Sequence, residues 1–280
     1  MTNNGRSGSQ ATLDKLSLGQ VPIVLMYHGV EEVPADPHGI VVTPARFAEQ
    51  MTWLKGRGLR GVGMGMLVDA MRAGRAQGLV GITFDDGYVN VLDNAVPELL
   101  RHGFTATTFI ISGRLGGTNE WDAGPVWPLM SADQVKAVAA AGMEIGSHSA
   151  THTRLAGVGA ERLKAEIDES RSNLSNLVGH PIRGFAYPYG NMDAAARRAV
   201  RDTGYDYACS VETPMANLGI MALPRIVFNQ QDGSGRMAAK RLFFRSYTAV
   251  KGTRRMMAYN PLAQTVKKRL YAIVRSPHDE

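Results

Sequence analysis

The sequence predicts an α/β protein, an incomplete (β/α) barrel of about seven strand and helix repeats. Apolar runs with strand character alternate along the chain with segments of helical periodicity, and this alternation is typical of a parallel sheet. A chain of 280 residues with 44% hydrophobic content can bury a large core, and barrels of this kind often fill about 200 to 250 residues as one domain. Short polar motifs follow several of the apolar runs, where a barrel presents its functional groups.

Six apolar runs are predicted to be strands, and helices fill the intervals between them. In chain order these strands span 21–27, 79–84, 105–111, 143–145, 184–187 and 205–211. A helix is predicted after Thr43 and Pro44, because a capping threonine precedes a proline at the first helical position. Further helices are predicted from Ser131 and over 159–177. We therefore divide the chain into a flexible N-terminus at 1–20, a barrel domain at 21–235 and a C-terminal extension at 236–280.

Two polar motifs indicate a metal site with a base beside it. The strand predicted at 79–84 is followed directly by Asp85 and Asp86, and a later motif places His148 and His152 four residues apart. Two imidazoles and one carboxylate can hold a divalent metal with open positions, while a second carboxylate serves as the base. Each motif alone is more often structural, since histidine pairs arise by chance and Asp-Asp-Gly is a common turn. Their joint occurrence with a third segment favours the metal site; that segment is Arg183-Gly184-Phe185-Ala186-Tyr187-Pro188-Tyr189-Gly190.

These three segments contain TFDDG, HSxxH and RxFxYPxG, and in this order they resemble the polysaccharide deacetylases that share the NodB-homology domain. The resemblance covers most of the chain and implies the incomplete barrel of that family. It implies that Asp85 is the general base, that Arg183 orients and charges this base, and that Tyr189 offers its backbone N–H to the oxyanion. The metal ligands implied by the resemblance are Asp86, His148 and His152.

The sequence also departs from the usual pattern of this family. After residue 190 it lacks the expected Asp-to-Trp and Leu-x-His segments, and it carries Leu223-Pro224-Arg225-Ile226 there instead. An opening apolar run ends at His28. This arrangement is similar to a permuted branch of the family, which includes deacetylases of poly-N-acetylglucosamine and takes its histidine from the first strand. The resemblance therefore implies that His28 is the general acid, and the alternative is a polar residue that caps a buried strand.

The function implied by the resemblance is metal-dependent N-deacetylation of an acetamido sugar in a glycan or glycan precursor. Zinc is the default metal, although cobalt, nickel or iron would suit the same ligands. One alternative is a hydrolase of another amide, such as a cyclic imide or ureide, and the complete ligand set argues against it. A non-catalytic scaffold is the other alternative, and the presence of both Asp85 and Arg183 argues against that.

The long loop at 113–127 carries two tryptophans, whose faces suit the apolar faces of sugar rings. We expect Trp127 to pack the loop down, whereas for Trp121 packing and sugar binding both stay open. The single cysteine, Cys209, excludes an intrachain disulfide and is expected to be a small buried strand residue without a catalytic role.

The C-terminal extension at 236–280 is strongly basic. It contains eleven Lys and Arg residues against two acidic ones, whereas the whole chain has a net charge of +6. The basic residues alternate with aromatic and aliphatic ones, a pattern typical of an interfacial helix on an anionic membrane. A helix that packs on the barrel or on a second subunit is an equal alternative. Nucleic-acid binding is not expected, since no nucleic-acid motif accompanies the charge.

The polar N-terminus bears on the expected cellular location of the protein. It contains no apolar segment of the length that a secretory signal requires, and no run of about 18 apolar residues occurs in the sequence. We therefore expect a cytoplasmic protein, with peripheral membrane contact and a lipid-linked sugar as one form of the substrate.

Overall fold

The computed structural model describes residues 22–211 and 219–249. The strands in these residues are β1 (Val24–Tyr27), β2 (Gly29–Val30), β3 (Val41–Val42), β4 (Arg60–Val62), β5 (Leu79–Phe84), β6 (Thr107–Ile110), β7 (Glu144–Ser147), β8 (Gly184–Ala186), β9 (Tyr207–Cys209) and β10 (Ile226–Val227). The helices are α1 (Pro44–Lys55), α2 (Met64–Arg72), α3 (Val96–His102), α4 (Ala132–Ala140), α5 (Ala160–Lys164), α6 (Ser170–Val178), α7 (Ala194–Asp202) and α8 (Ser234–Ala249). Two single-turn π segments precede α3 and join α5 to α6, at Val91–Ala95 and Ala165–Glu169.

The main sheet is parallel throughout. Seven strands stand in the order β10, β1, β5, β6, β7, β8, β9, and β4 pairs with the first half of β5. Parallel strands need long crossover connections, and helices fill most of those connections here. Because the strands are parallel, their carboxyl ends lie at one edge of the sheet, and the curl of the sheet brings these ends close together. The predicted incomplete (β/α) barrel is therefore confirmed.

A short chain segment, which we call the seam segment, bridges the two ends of the curled sheet. At its start Leu223 pairs with Cys209 of β9, and at its end Ile226 pairs with Leu25 of β1. Arg225 lies between these two pairings and is completely buried. The seam segment therefore carries one arginine into the interior of the barrel.

The helices begin where the sequence places their capping residues. At α1, the Thr43 hydroxyl accepts a hydrogen bond from the Arg46 N–H at 3.1 Å, and Pro44 occupies the first turn. At α4, Ser131 and Gln134 form a reciprocal capping box. The inner face of α1 buries the predicted apolar residues, namely Phe47, Met51 and Leu54. Local capping signals and apolar spacing thus agree with the tertiary packing.

All six predicted strands are present, with ends that differ from the prediction by at most a few residues. The helix predicted over 159–177 is also present, interrupted by the π segment between α5 and α6. The prediction missed β4 and the two-residue strands β2, β3 and β10. These strands are too short to produce an apolar pattern of their own.

The basic extension begins inside a helix that packs on the barrel. Helix α8 starts at Ser234, so the predicted boundary between residues 235 and 236 falls within its first turn. The Lys240 ammonium group is buried, lies 2.8 Å from Asp232 Oδ2 and donates to the Val227 carbonyl at 2.7 Å. Met237 and Phe244 are buried on the same helix. This part of the extension therefore follows the barrel-packing alternative.

The predictions for residues 1–20, and for residues 250–280 of the extension, lie outside the described residues. Among the helices of the described part, none combines the length and apolar character that a membrane span requires.

Candidate metal and catalytic site

Two buried aspartates follow β5 at the carboxyl end of the sheet. The Asp85 N–H continues the strand pairing and donates to the Tyr27 carbonyl at 2.9 Å. Asp86 instead adopts a left-handed conformation with φ of 71°, and Gly87 follows with φ of 79°. The backbone turns sharply at this point, so neighbouring carboxylates have different partners, as predicted for the two aspartates.

The second carboxylate meets both predicted histidines. Asp86 Oδ1 lies 3.4 Å from His148 Nε2 and 3.3 Å from His152 Nε2. One ligand atom from each of these three residues can be chosen so that all lie within 4.8 Å of one another. Burial disfavours the ionised form of Asp86, but the contacts with the two imidazoles outweigh burial and lower its pKa well below the usual value. The predicted ligand set is thus assembled in the structure.

The donor atoms of this cluster fit a divalent cation. His148 Nδ1 lies 2.8 Å from the Ala186 carbonyl oxygen, which can only accept, so Nδ1 carries a proton. In the neutral imidazole the lone pair of His148 Nε2 then faces Asp86 Oδ1. That oxygen is buried and has no hydrogen-bond donor among the described residues. A lone pair and a carboxylate oxygen repel at this distance unless a cation lies between them, either a proton on Nε2 or a metal ion, and the two imidazoles and one carboxylate are a donor set that suits a divalent metal.

A buried glutamate holds the turn between the two histidines. Ser149 and His152 both have positive φ, of 64° and 65°, in a turn that L-residues seldom adopt. The Glu166 carboxylate accepts from the Ala150 N–H at 3.1 Å and the Thr151 N–H at 2.9 Å, and Oε1 also accepts from the Thr151 hydroxyl. Sequence reasoning missed Glu166, because it lies in an ordinary helical segment and belongs to no motif.

The carboxylate of Asp85 is paired with an arginine from the seam segment. Arg225 Nη1 and Nη2 donate to the two Asp85 oxygens at 2.6 and 2.7 Å, which is a bidentate pair. Arg225 also donates to Thr83 Oγ1 at 3.2 Å and, through Nε, to the Ser210 carbonyl at 3.1 Å. Four acceptors therefore fix the guanidinium group.

This pairing keeps the candidate base ionised. Burial raises the pKa of Asp85, but the charges of Arg225 and His148 outweigh burial, so the net shift is downward. Sequence reasoning quoted Arg225 without assigning it a role. The available signal was a charged residue inside a short apolar run, at Leu223-Pro224-Arg225-Ile226-Val227, which indicates a buried charge with a partner.

The expected contact between Arg183 and Asp85 is absent, and this prediction was wrong. Arg183 forms a bidentate pair with Asp69, at 2.9 and 2.7 Å, and its Nε donates to Asp206 at 2.7 Å. The physical reason is its place in the sheet. Arg183 precedes β8, so it lies at the amino end of the parallel strands, whereas Asp85 follows β5 at the carboxyl end.

His28 lies between β1 and β2 at the carboxyl end and is partly buried. Burial lowers its pKa, while the charges of Asp86 and Asp85 act on it in the opposite direction without cancelling the shift. The predicted general acid is therefore within electrostatic range of both aspartates.

Tyr189 also lies beside the metal cluster. Its backbone is left-handed, with φ of 57° and ψ of 13°, which is a strained conformation for a bulky residue. Its ring centroid lies 4.6 Å from that of His152, and its hydroxyl donates to Asp122 Oδ2 at 3.1 Å. Tyr189 therefore lies beside the metal cluster, while the contact of its N–H with an oxyanion stays a prediction.

The two tryptophans of the 113–127 loop have different surroundings. Trp127 is buried and meets Tyr88 edge to face at 5.6 Å, which confirms its packing role. Trp121 is partly buried and lies against the His152 ring, with centroids 4.5 Å apart. Cys209 is buried in β9, and burial raises the pKa of its thiol to about 12.

Comparisons with known proteins agree with this geometry. The sequence profile of the family described as polysaccharide deacetylase matches residues 73–208. The Bacillus subtilis protein YxkH, which is named for the same family, is 26% identical over 207 residues, covering 72% of this chain and 70% of its own. The poly-beta-1,6-N-acetyl-D-glucosamine N-deacetylase of Staphylococcus epidermidis is 25% identical over 181 residues, covering 61% of each chain.

A solved structure shares the fold. The Streptococcus pyogenes deacetylase PplD, solved in complex with acetate, superposes with a TM-score of 0.66 at 22% sequence identity. The match covers 78% of this chain and 96% of that one. By its profile match, the part of the chain at residues 73–208 belongs to the polysaccharide deacetylase family, and the barrel fold agrees with that assignment.

Proposed function

We propose that this protein hydrolyses the acetamide of an N-acetylated sugar in a glycan and releases acetate and a free amine. The single observation that carries the proposal is the pair of adjacent aspartates with separate partners. Asp85 is paired with Arg225, which keeps its carboxylate ionised. Asp86 faces two imidazole nitrogens through an oxygen without a hydrogen-bond donor. A base and a metal ligand are thus held side by side.

The proposed metal would be held by Asp86, His148 and His152. When bound, a divalent ion at this place supplies a Lewis acid, which polarises an acyl oxygen and increases the acidity of a water molecule. Two imidazoles and one carboxylate suit zinc, cobalt, nickel or iron, and zinc is the default that we propose.

Asp85 is the proposed general base. Its lowered pKa keeps the carboxylate ionised at neutral pH, so it can take a proton from the attacking water. Arg225 fixes both carboxylate oxygens and so limits the directions from which that proton can arrive. The buried position of the pair excludes bulk water from its surroundings, which strengthens the interaction between the two charges.

The leaving nitrogen needs a proton and the acyl oxygen needs a donor. We assign the first role to His28, which lies at the same end of the barrel, and the second to the backbone N–H of Tyr189. One proton passes from water to Asp85, and another passes from His28 to the nitrogen as the C–N bond breaks. The products are then acetate and an amino sugar.

The nature of the sugar is a finer proposal. The Staphylococcus epidermidis relative acts, by its name, on poly-beta-1,6-N-acetyl-D-glucosamine. This similarity supports β-1,6-linked N-acetylglucosamine oligomers as the first substrate to test. Free, nucleotide-linked and lipid-linked N-acetylglucosamine form the comparison set.

The test is acetate release from these sugars by chelator-treated protein, before and after zinc or cobalt is restored. We expect release only with metal, and we expect Asp85→Asn to reduce kcat by at least about 100-fold because the base is lost. The matched control is Asp93→Asn, which removes a carboxylate from the π segment Val91–Ala95 outside the site.

Two results would overturn the assignment. Equal release by wild type and Asp85→Asn would remove the general base from the mechanism. Absence of release from every acetamido sugar by metal-loaded wild type would reject the sugar substrate, and a cyclic imide or ureide would then be assayed.

The cytoplasmic location, the lipid carrier and the membrane contact of the basic extension stay predictions. Most of that extension, residues 250–280, lies outside the described residues. Binding of the full chain to anionic vesicles, compared with neutral ones, would measure the membrane contact.

A further inference from the structure

Besides the His148 ring, whose centroid lies 5.1 Å away, the imidazole of His152 has two aromatic neighbours. Trp121 reaches it from the long loop at 113–127, with ring centroids 4.5 Å apart and planes tilted by 38°. Tyr189 reaches it from the turn after β8, with centroids 4.6 Å apart and planes tilted by 57°. The ring of a candidate metal ligand is therefore packed between side chains from two separate loops.

The two candidate histidine ligands differ in what orients their rings. His148 has a hydrogen bond from Nδ1 to the Ala186 carbonyl at 2.8 Å, the usual means of fixing a metal-binding imidazole. Within the described residues, the buried Nδ1 of His152 has no hydrogen-bond partner. Its backbone N–H is held by Ser149 Oγ at 3.0 Å, but that contact leaves the ring itself free to rotate. Apart from the approach of His152 Nε2 to Asp86 Oδ1 at 3.3 Å, aromatic packing is the contact that sets the ring direction.

The loop at 113–127 also contacts Tyr189 through a second residue, Asp122. Asp122 accepts the hydrogen bond of the Tyr189 hydroxyl at 3.1 Å, and it is the immediate neighbour of Trp121. Arg154 covers the Tyr189 ring, with its Cζ atom 3.9 Å from the ring centroid. Tyr189 is therefore held by its hydroxyl and by a guanidinium group, so Trp121 and His152 pack against a well-supported ring.

We propose that Trp121 is a positioning residue for the metal ligand His152, and that it supports the imidazole in place of the missing Nδ1 hydrogen bond. This role decides between the two that the sequence left open for Trp121, packing and sugar binding. The inference rests on the proposed metal site. It predicts that replacing Trp121 weakens the binding of the metal before it changes the binding of the sugar.

The experiment measures metal affinity without turnover. Chelator-treated full-length protein is titrated with zinc against a chromophoric chelator, and with cobalt while its visible absorption is recorded. We expect Trp121→Leu to weaken zinc binding by about 10- to 100-fold, the usual effect of losing a group that orients a ligand. We expect Trp121→Phe, which keeps a ring, to bind zinc close to the wild-type level.

Val126→Ala is the matched control. Val126 lies on the same loop and its side chain is 59% exposed, so its truncation removes loop bulk without touching His152. Its zinc affinity should equal that of wild type. The thermal midpoint of each metal-free variant checks that the fold is intact. With saturating metal, Trp121→Leu should regain most of its kcat with little change in KM.

Three outcomes would overturn the inference. Wild-type zinc affinity in Trp121→Leu, together with a raised KM for an N-acetylglucosamine oligomer, would make Trp121 a sugar platform. Equal weakening in Val126→Ala would show an effect of the whole loop. Failure of wild type to bind either metal would remove the metal site, and this result alone would also contradict the proposed function.

Discussion

The bidentate contact between Arg225 and Asp85 joins two charges that are almost completely removed from water. Desolvation of such a pair costs free energy that its mutual attraction only partly recovers, so stability alone is a weak reason to keep it. A planar guanidinium group does, however, fix both oxygens of a carboxylate at once. At the residue scale, the pair is best explained by the proposed role of Asp85, which requires an ionised carboxylate held in one orientation.

Arg225→Met is expected to reduce kcat/KM at neutral pH by at least about 100-fold, because the base loses both its charge partner and its orientation. Arg225→Lys keeps the charge but cannot donate to both Asp85 oxygens in the planar bidentate geometry, so it should retain an intermediate activity. The measurement is kcat/KM for acetate release, with urea unfolding to confirm that each variant folds. Wild-type activity in both folded variants would reject the role of Arg225.

Arg183→Met is the matched control, since it also removes a guanidinium group that pairs with carboxylates. It should keep kcat/KM and lower the free energy of unfolding by only about 1 kcal/mol, because its partners are largely exposed. Arg183 holds the pKa of Asp69 below its usual value. Its stabilising contribution is therefore present near neutral pH and should disappear as the pH falls through the lowered pKa of Asp69.

The sequence alone was sufficient to place the site residues that directly follow strands. Asp85, Asp86 and His148 come at the ends of β5 and β7, and parallel strands gather such ends at one edge. It was insufficient to identify the arginine that pairs with Asp85. Motif order does not reveal that Arg183 precedes its strand, or that Arg225 reaches the interior through a two-residue strand pairing.

At the element scale, the turn that carries His152 depends on the helical segment that follows it in the chain. Ser149 and His152 have positive φ, and the two residues between them, Ala150 and Thr151, donate three hydrogen bonds to the buried Glu166 carboxylate in the π segment Ala165–Glu169. A π segment shifts the hydrogen-bond pattern of a helix and often occurs at functional sites. Here it lies where a side chain must meet backbone N–H groups of a neighbouring turn.

Glu166→Gln is expected to weaken zinc binding by about 10-fold, because one acceptor oxygen becomes an amide that faces the N–H donors of the turn. Glu169→Gln is the control, since Glu169 is exposed in the same segment. Competition with a chromophoric chelator measures both affinities. Equal affinities in the two variants would mean that the turn holds its shape without Glu166.

At the scale of the whole molecule, the barrel extends beyond the boundary that the charge pattern predicted. Lys240 of α8 is buried with Asp232, and Asp232 in turn offers its carbonyl to Gln50 of α1 at 2.9 Å. Gln50 accepts a hydrogen bond from the Tyr27 hydroxyl of β1. A polar chain thus connects the basic extension to the first strand, so helix α8 belongs to the barrel domain.

Lys240→Met in the full chain is expected to lower the free energy of unfolding by about 3 to 5 kcal/mol, because Asp232 would stay buried without its partner. Leu242→Ala on the same helix should change it by less than about 0.5 kcal/mol, since that side chain is 67% exposed. Urea unfolding measures both. An unchanged free energy of unfolding in Lys240→Met would indicate that α8 packs loosely and that the predicted boundary after residue 235 is correct.

The seam segment gives the order in which activity can appear during synthesis. It joins β9 to β1, and it also delivers the guanidinium group that Asp85 needs. A nascent chain that has emerged only through residue 208, where the family match ends, already contains every proposed metal ligand but lacks this guanidinium group. Such a chain would carry the proposed ligands without the charge partner of the proposed base. We therefore expect full activity only after the last strand docks and the barrel closes.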